Sequence, residues 1–204
     1  EIILHCYQYG RKPAKELDAI CKEVHYYSRD MSLKNMISGM PFIVKTRKHP
    51  LLLERLLEDD YPILFEGTHV CYFITHPALK NRTKIVRMHN VEWQYYENMI
   101  PLEKDAKKKM YFKWESQKLK NYELGVVKNH ADAILAVSPK ETTYFNENGF
   151  ENVHYVSAFH PNEKVEILSG RGDYVLFHGD LSVKENELIA RQLIQEVFIH
   201  LPEY

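Results

Sequence analysis

An apolar run from Lys84 to Met88, which stops abruptly at His89-Asn90, constrains the fold of this chain more than any other stretch. The run is short enough for a buried strand, and the residues after Asn90 have helical spacing. Such a strand delivers polar side chains at its C-terminal end. Open α/β sheets bind their ligands outside the carboxyl ends of the strands. The stretch therefore predicts both the type of sheet and the edge where a ligand would bind.

Short apolar runs and helical patterns alternate along the rest of the chain. Strands are predicted at residues 2–9, 24–27, 42–44, 62–67, 131–137, 153–156 and 174–177. The longest helical pattern runs from residue 103 to residue 128 and has an apolar stripe of Met110, Trp114, Leu119, Leu124 and Val127. Strand–helix–strand units imply parallel pairing. We therefore predict an α/β fold class, a Rossmann-like parallel sheet with helices on both faces.

The charge of the chain excludes a general electrostatic attraction to nucleic acid, because 27 basic residues are balanced by 28 acidic residues. The predicted long helix nevertheless carries a local basic run of Lys104, Lys107, Lys108, Lys109 and Lys113. Two interpretations of this run stay open: a solvated helix face, or a patch that faces an anionic substrate or a membrane surface. No apolar stretch approaches the ~18 residues of a membrane span.

Several common catalytic motifs are absent from the sequence. It contains no P-loop and no GxGxxG, so nucleotide binding of those two kinds is not expected. The histidines include no HExxH and the cysteines lack zinc-ligand spacing, so no protein-built metal site is predicted. Ser138 lies in AVSP rather than in a GxSxG elbow, which gives covalent catalysis little support.

Polar residues remain at the ends of the predicted strands, which a parallel sheet would bring to one edge. They are Gly10-Arg11, Glu66, Thr68, His69, His89, Asn90, Glu92, Ser138, Lys140 and Glu141. Such groups suit a polyhydroxylated ligand, because each sugar hydroxyl both donates and accepts a hydrogen bond. Two alternatives stay open. Trp93, Tyr95 and Tyr96 either stack on a sugar or pack in the core, and His89 either contacts a ligand or is a hydrogen-bonded structural histidine.

Three longer segments carry a family resemblance. They are VRMHNVEWQYYENM, KWESQKLKNYELGVVKNHADAILAVSPKETTYF and YVLFHGDLSVKENELIARQLIQEVF. They resemble retaining glycosyltransferases of the GT-B fold, in the large group 1 class (family 4) that includes many bacterial enzymes of sugar-polymer synthesis. The resemblance covers most of the chain from Ile63 onward. It implies a nucleotide-sugar donor, a glycan or lipid-linked acceptor, no bound cofactor and no requirement for a metal.

The resemblance also implies roles for particular residues. It matches His89 to a histidine that touches the transferred sugar, which would make His89 the catalytic residue. Arg87 and Asn90 flank it in the same motif. The predicted substrate-binding set is completed by strand-end residues, namely Glu66, Thr68, His69 and Ser138. The turn after the predicted strand at residues 174–177 is matched to a donor-binding turn, which assigns donor binding to Gly179, Asp180 and Lys184.

The resemblance implies two domains. Residues 1–165 correspond to an acceptor-side domain whose first strand is expected to precede Glu1, and residues 166–204 to a linker and the first strand and helix of a donor-binding domain. Such a chain is expected to be catalytically inactive on its own. It is expected to be located in the cytoplasm, and peripheral contact with the inner membrane stays open. The competing hypothesis is a non-catalytic α/β binding or scaffold module of the same fold. An unrelated flavodoxin-like or Rossmann-like enzyme is disfavoured by the missing phosphate loop.

Overall fold

The computed structural model describes residues 1–10, 12–160, 164, 166, 170 and 174–201. The strands in this part of the chain are β1 (Ile3–Tyr7), β2 (Glu23–Tyr27), β3 (Ile63–Glu66), β4 (Lys84–Met88), β5 (Ala133–Ala136) and β6 (Val153–Tyr155). β1 pairs with β2, and the others form a second sheet in the order β3-β4-β5-β6. All of these pairs are parallel.

Helices flank the sheets. The α-helices of the described residues are α1 (Phe42–Lys45), α2 (Pro50–Leu56), α3 (Glu92–Leu102), α4 (Ala106–Asn121), α5 (Lys128–His130), α6 (Pro139–Glu147) and α7 (Lys184–Gln192). Short 3-10 helices cover Lys15–Ala19, Leu33–Ile37, Thr68–Phe73, Pro77–Leu79 and Phe198–His200, and π-helical turns cover Tyr122–Val127 and Leu193–Val197. Helices connect the parallel strands of the larger sheet. The predicted Rossmann-like α/β fold class is therefore confirmed.

A row of apolar side chains crosses the larger sheet and forms the centre of its core. Phe65 lies opposite Val86, and Val86 lies opposite Ile134. All three side chains are buried. The next residues along β3 and β4 are Glu66 and Arg87, which are also opposite each other. Because successive side chains of a strand point to opposite faces, these charged groups lie on the face away from that row.

Two segments predicted as strands have a different structure. Residues 42–44 belong to α1, which begins directly after Pro41. The buried carboxylate of Glu115 accepts a hydrogen bond from the amide of Phe42 at 2.6 Å, and so satisfies a donor that the first turn of a helix leaves unpaired. Residues 174–177 are not a strand either. No strand of the described residues pairs with them, and extended segments need such a partner to be stable.

The helix predicted at residues 103–128 corresponds to α4 and the turns that follow it, but only part of its apolar stripe is buried. Leu119 and Val127 are fully buried, as predicted. Met110 and Trp114 are 52% and 63% exposed, so the prediction that the stripe is buried is wrong for the first half of the helix. These two residues form part of an exposed apolar surface instead of the core.

The predicted boundary between two domains, and most of the residues on either side of it from 161 to 173, lie outside the described residues. The division into residues 1–165 and 166–204 therefore stays a prediction. Among the described helices, none is both long and apolar enough to cross a membrane.

Candidate functional site

Three predicted site residues meet at the carboxyl ends of β3 and β4. Glu66 ends β3, and its Oε2 atom lies 3.0 Å from His89 Nε2 and 3.5 Å from Arg87 Nη1. The side chains of Glu66 and His89 are 48% and 43% exposed. The carboxylate and the imidazole of this cluster are therefore open to solvent, whereas the Arg87 side chain is 16% exposed. The strand register brings these side chains together, because it puts Glu66 opposite Arg87. His89 lies two residues after Arg87.

The Arg87 side chain links this cluster to the segment that follows β6. Its Nη2 atom donates a hydrogen bond to the carbonyl of Ser157 at 3.2 Å. The guanidinium lies 5.5 Å from the centre of the Phe159 ring, within the range of a cation–π contact. Its Nε atom is buried without a hydrogen-bond partner among the described residues. The guanidinium is thus held on three sides and supports Glu66 from a fixed position.

Gly67 sits directly between two histidines of the predicted site. Its φ angle is +100°, a backbone conformation that L side chains rarely adopt. An added Cβ would lie 2.6 Å from Cε1 of His69 and 3.5 Å from Cδ2 of His89. Only glycine therefore allows the His69 ring to lie this close to the turn after β3. Burial and the nearby charges of Arg47, His89 and Arg29 lower the pKa of His69 to about 4, so its imidazole is neutral at neutral pH.

A buried carboxylate, Glu123, joins the turns that follow β3 and β4. Its Oε1 atom accepts hydrogen bonds from the Thr68 hydroxyl at 2.8 Å and from the Glu92 amide at 3.2 Å. The amide of Trp93 donates to Oε2 at 3.4 Å. Glu92 and Trp93 are the first residues of α3, so Glu123 satisfies amides that this helix leaves unpaired. The contact fixes the start of α3 and, with it, the His89-Asn90 turn.

The sequence analysis missed Glu123, although the sequence contains a signal for it. Glu123 lies four residues after Leu119 and four residues before Val127, both fully buried. This spacing puts it on the buried face of the helix. It also lies in the π-helical turn Tyr122–Val127, and such turns are frequent at functional sites. A carboxylate on a buried stripe should have been recognised as a group that needs buried donors.

The environment of Glu123 favours its protonated form. Burial raises the pKa of Glu123 to about 8, the hydrogen bond from Thr68 offsets part of that shift, and the neighbouring Glu92 carboxyl adds to it. Burial also raises the pKa of Glu92, against the opposing charge of Arg47. Two carboxyl groups therefore share one protein-enclosed region directly behind the accessible cluster.

Other predicted substrate-binding residues differ in how available their side chains are. Asn90 is exposed, and its amide makes no hydrogen bond within the described residues. Thr68 is 1% exposed, and its hydroxyl is used by Glu123. Ser138 caps α6, accepting a hydrogen bond from the Glu141 amide at 3.2 Å and donating one to the Glu141 carboxylate at 2.9 Å. These contacts position the strand ends. Direct contact of Thr68 and Ser138 with a substrate stays a prediction.

The aromatic cluster of α3 is largely occupied by protein contacts. Trp93 packs against the core, its Nε1 donates to the Tyr144 hydroxyl at 2.9 Å, and Lys120 Nζ lies 4.3 Å from its ring centre. Tyr96 packs edge-on against Phe112, with ring centres 5.8 Å apart. Packing is therefore the role that the geometry gives Trp93 and Tyr96.

The predicted donor-binding residues lie in the turn before α7. Asp180 accepts a hydrogen bond from the Ser182 amide at 2.9 Å, and Gly179 packs against the Asn186 side chain. Lys184, the first residue of α7, forms an exposed ion pair with Glu187 at 3.0 Å. Their role in donor binding stays a prediction. Arg11, named above with Gly10 as a strand-end residue, lies outside the described residues.

The accessible cluster can hydrogen-bond to a hydroxylated or anionic ligand. His89 Nδ1 and the amide of Asn90 have no partner in the described part of the chain, while Glu66 holds the other ring nitrogen of His89. The described residues include no group of three or more histidine, cysteine, aspartate or glutamate side chains that could hold a metal ion. The groups left free at this cluster offer hydrogen bonds and charge to a ligand.

Comparison with known proteins gives one informative relative. No protein-family model matches the sequence, and no solved structure matches it. The chain is 26% identical over 174 residues to a protein of Klebsiella pneumoniae described as an uncharacterized 44.6 kDa protein in the cps region. The match covers 83% of this chain but 44% of that protein, so the chain spans less than half the length of the curated relative that it matches.

Replacing Glu123 by Gln should change how stability depends on pH. The folded chain holds the Glu123 proton up to about pH 8, whereas a free carboxyl releases it near its ordinary value of 4.5, so the stability contributed by this group falls as the pH rises between these values. Glu123→Gln should therefore gain stability relative to wild type, by about 1 kcal/mol or more, from about pH 5 to about pH 8. Urea unfolding at several pH values measures this, with exposed Glu97→Gln as control. Parallel stability profiles for wild type and Glu123→Gln would contradict the assignment.

Replacing Gly67 by Ala should destabilise the fold and displace His69. The positive φ and the close His69 ring together should cost about 1–3 kcal/mol in the free energy of unfolding. Gly125→Ala is a matched control, since nothing lies within 4 Å of its added Cβ and alanine favours helices over glycine. Denaturant unfolding and the NMR shifts of His69 and His89 test both effects. Unchanged stability and unchanged histidine shifts in Gly67→Ala would show that the turn is described incorrectly.

Proposed function

We propose that this chain is the acceptor-side part of a nucleotide-sugar-dependent retaining glycosyltransferase that transfers a sugar to a glycan or lipid-linked acceptor in capsular polysaccharide synthesis. The observation that carries the proposal is the accessible cluster of Glu66, Arg87 and His89 at the carboxyl edge of a parallel sheet. Ligands of open α/β sheets bind at this edge. The nucleotide sugar is a substrate, and no metal or bound cofactor is required.

Within the proposed site, His89 contacts the transferred sugar. Glu66 holds His89 Nε2 at 3.0 Å, so the ring has a fixed orientation and its Nδ1 atom is left to bond a sugar hydroxyl. Asn90 adds an amide that both donates and accepts. Arg87 fixes the position of Glu66 and contributes a positive charge beside the reacting group. Electrostatic positioning of this kind is the main means by which such a site could stabilise a charged leaving group.

The cps region of the Klebsiella relative supports the polymer-synthesis part of the proposal. That region is a capsule gene cluster, which favours a role in polysaccharide synthesis. The similarity covers 83% of this chain and therefore includes the strand ends that form the site. Donor binding by Gly179, Asp180 and Lys184 belongs to the same proposal.

Replacing His89 by Ala should strongly lower turnover while leaving the fold intact. The test uses the complete gene product that contains this chain, in an assay for nucleotide release from a panel of nucleotide sugars. Loss of a group that bonds the reacting sugar should lower kcat/KM by about a hundredfold. The control is His130→Ala, because His130 is exposed and bonds only the Val126 carbonyl among the described residues.

Each outcome of this assay has a definite meaning. Normal turnover in His89→Ala would show that the role assigned to His89 is wrong. The proposed transferase activity would be contradicted if the complete wild-type protein neither released nucleotide from any donor nor gained thermal stability from one. That result would favour the non-catalytic binding module instead, because a ligand that binds the native state raises its melting temperature.

A lipid-linked acceptor implies contact with a membrane, and one surface of the chain suits it. A groove of about 480 Å³ separates the 3-10 helix Leu33–Ile37 from α4. Leu33, Ile37 and Trp114 line it and are 77%, 88% and 63% exposed. Lys107 and Lys118 lie at the same groove. Lys107 is exposed, whereas the Lys118 Nζ atom is held by the Met36 carbonyl at 2.7 Å and by the Glu115 carboxylate at 2.8 Å. We propose that this surface rests on an anionic lipid bilayer, because apolar side chains enter the headgroup region while exposed lysines such as Lys107 pair with lipid phosphates.

Neutralising two lysines beside this groove should weaken binding to anionic vesicles. Lys107 lines the groove and Lys104 lies three residues earlier, so Lys104→Gln with Lys107→Gln should lower vesicle affinity by about tenfold or more. Co-sedimentation with phosphatidylglycerol vesicles measures this, with phosphatidylcholine vesicles and the pair Lys15→Gln and Lys22→Gln as controls. Equal binding of wild type to both lipids, or equal loss in both lysine pairs, would contradict the proposed surface.

A further inference from the structure

We propose a second, oxyanion-binding subsite beside the first, formed by Arg29 and Arg47 around the ring of Tyr9. Its ligand is a phosphate or carboxylate group of the sugar substrate. The inference rests on the proposed function for the identity of the substrate, but not for the existence of the subsite. It adds a charge requirement to a site whose other free groups suit the recognition of hydroxyls.

Both guanidinium groups lie against the same aromatic ring. The guanidinium carbon of Arg29 is 5.1 Å from the centre of the Tyr9 ring, and that of Arg47 is 5.5 Å from it. Arg29 is held by two hydrogen bonds to the Thr46 hydroxyl, at 3.2 and 2.9 Å. Arg47 donates to the Ile43 carbonyl and to the Tyr9 hydroxyl. Two positive charges are thus positioned by neutral groups alone.

No carboxylate neutralises these charges at ion-pair distance. Within the described residues, neither Arg29 nor Arg47 has an acidic partner within 4 Å, although other arginines of the chain do. Arg47 is only 4% exposed, and its Nε atom is buried without a hydrogen-bond partner. Burial lowers the pKa of Arg47 to about 10, so the guanidinium stays charged. The charge of the Glu92 carboxyl reaches Arg47, but from beyond ion-pair distance. A buried charge without a direct ionic partner is costly, and a bound anion would offset that cost.

The arrangement is open to solvent on one side. Tyr9 is 57% exposed, and Arg29 is partly exposed, so a ligand can approach Arg29 directly. Arg29 uses Nε and Nη2 on Thr46, which leaves the donors of Nη1. Arg47 acts from behind, through its charge. An oxyanion is the ligand that guanidinium donors bind best, since its oxygens match their planar geometry.

The subsite lies at the same edge of the fold as the first cluster. Tyr9 and Arg29 each lie two residues beyond the carboxyl ends of β1 and β2, respectively. Arg47 follows α1, which packs against the 3-10 helix Thr68–Phe73 that carries His69. The charges of both arginines reach His69, as does that of His89. His69 therefore lies between the two clusters, and a single extended substrate could occupy both.

Titration of the 204-residue chain with defined anions tests the subsite. Calorimetry with pyrophosphate, inorganic phosphate and glucuronate should detect binding of at least one, and uncharged glucose should bind more weakly than that anion. Arg29→Gln should lower the affinity for that anion by about tenfold, which corresponds to the loss of one charge-assisted hydrogen bond. Arg191→Gln is the matched control, since Arg191 is exposed and contacts only Glu187. Binding of none of the anions, or equal binding by wild type and Arg29→Gln, would overturn the proposal.

A second measurement needs no variant and identifies the source of the anion. In ¹⁵N-labelled wild type, the bound anion should shift the Nε–Hε resonances of Arg29 and Arg47 and leave that of Arg191 in place; unshifted Arg29 and Arg47 would overturn the subsite. Tightest binding of pyrophosphate would indicate that the substrate carries a diphosphate, and tightest binding of phosphate would indicate a phosphate monoester. Tightest binding of glucuronate would indicate a carboxylated sugar. Each of these results supports the subsite. Because these assays need no turnover, anion binding without activity would contradict the proposed function alone. Activity without anion binding would contradict the subsite alone.

Discussion

The hydrogen bonds to the buried Glu123 carboxylate determine the geometry on which the rest of the candidate site depends. Thr68, in the turn after β3, and the first amides of α3, after β4, all donate to this one side chain. The link anchors both turns, because the first amides of a helix have no partner within it and the Thr68 hydroxyl is buried. Strand register and a residue that is distant in sequence and buried therefore together position Glu66 and His89.

Parallel pairing within each of the two sheets brings charged groups of different kinds to the carboxyl ends of the strands. Strand register places Glu66 opposite Arg87, and the carboxyl ends of β1 and β2 carry Tyr9 and Arg29 toward the same side of the fold. The first cluster offers an oriented imidazole for hydroxyl groups, whereas the arginine pair offers positive charge. Under the proposed function, a sugar substrate with an acidic group would use both.

Periodicity and strand-end chemistry were enough to predict the sheet and the edge, but not the buried charges. Lys84–Met88 is a strand with the predicted bounds, because its length and its polar end are local properties. Glu115 and Glu123 were not among the residues predicted to be buried, yet both are 1% exposed. Each is stabilised by amides from another helix, which is tertiary information. Helical spacing also predicted that Trp114 is buried in the core, although it is 63% exposed.

The most direct test of the central claim, that this edge binds the transferred sugar, is a crystal structure of the complete gene product with a bound nucleotide sugar. The account predicts that a sugar hydroxyl lies about 3 Å from His89 Nδ1, within hydrogen-bond distance, while Glu66 keeps its contact with Nε2. A sugar bound elsewhere, with His89 and Asn90 still without a ligand contact, would contradict it.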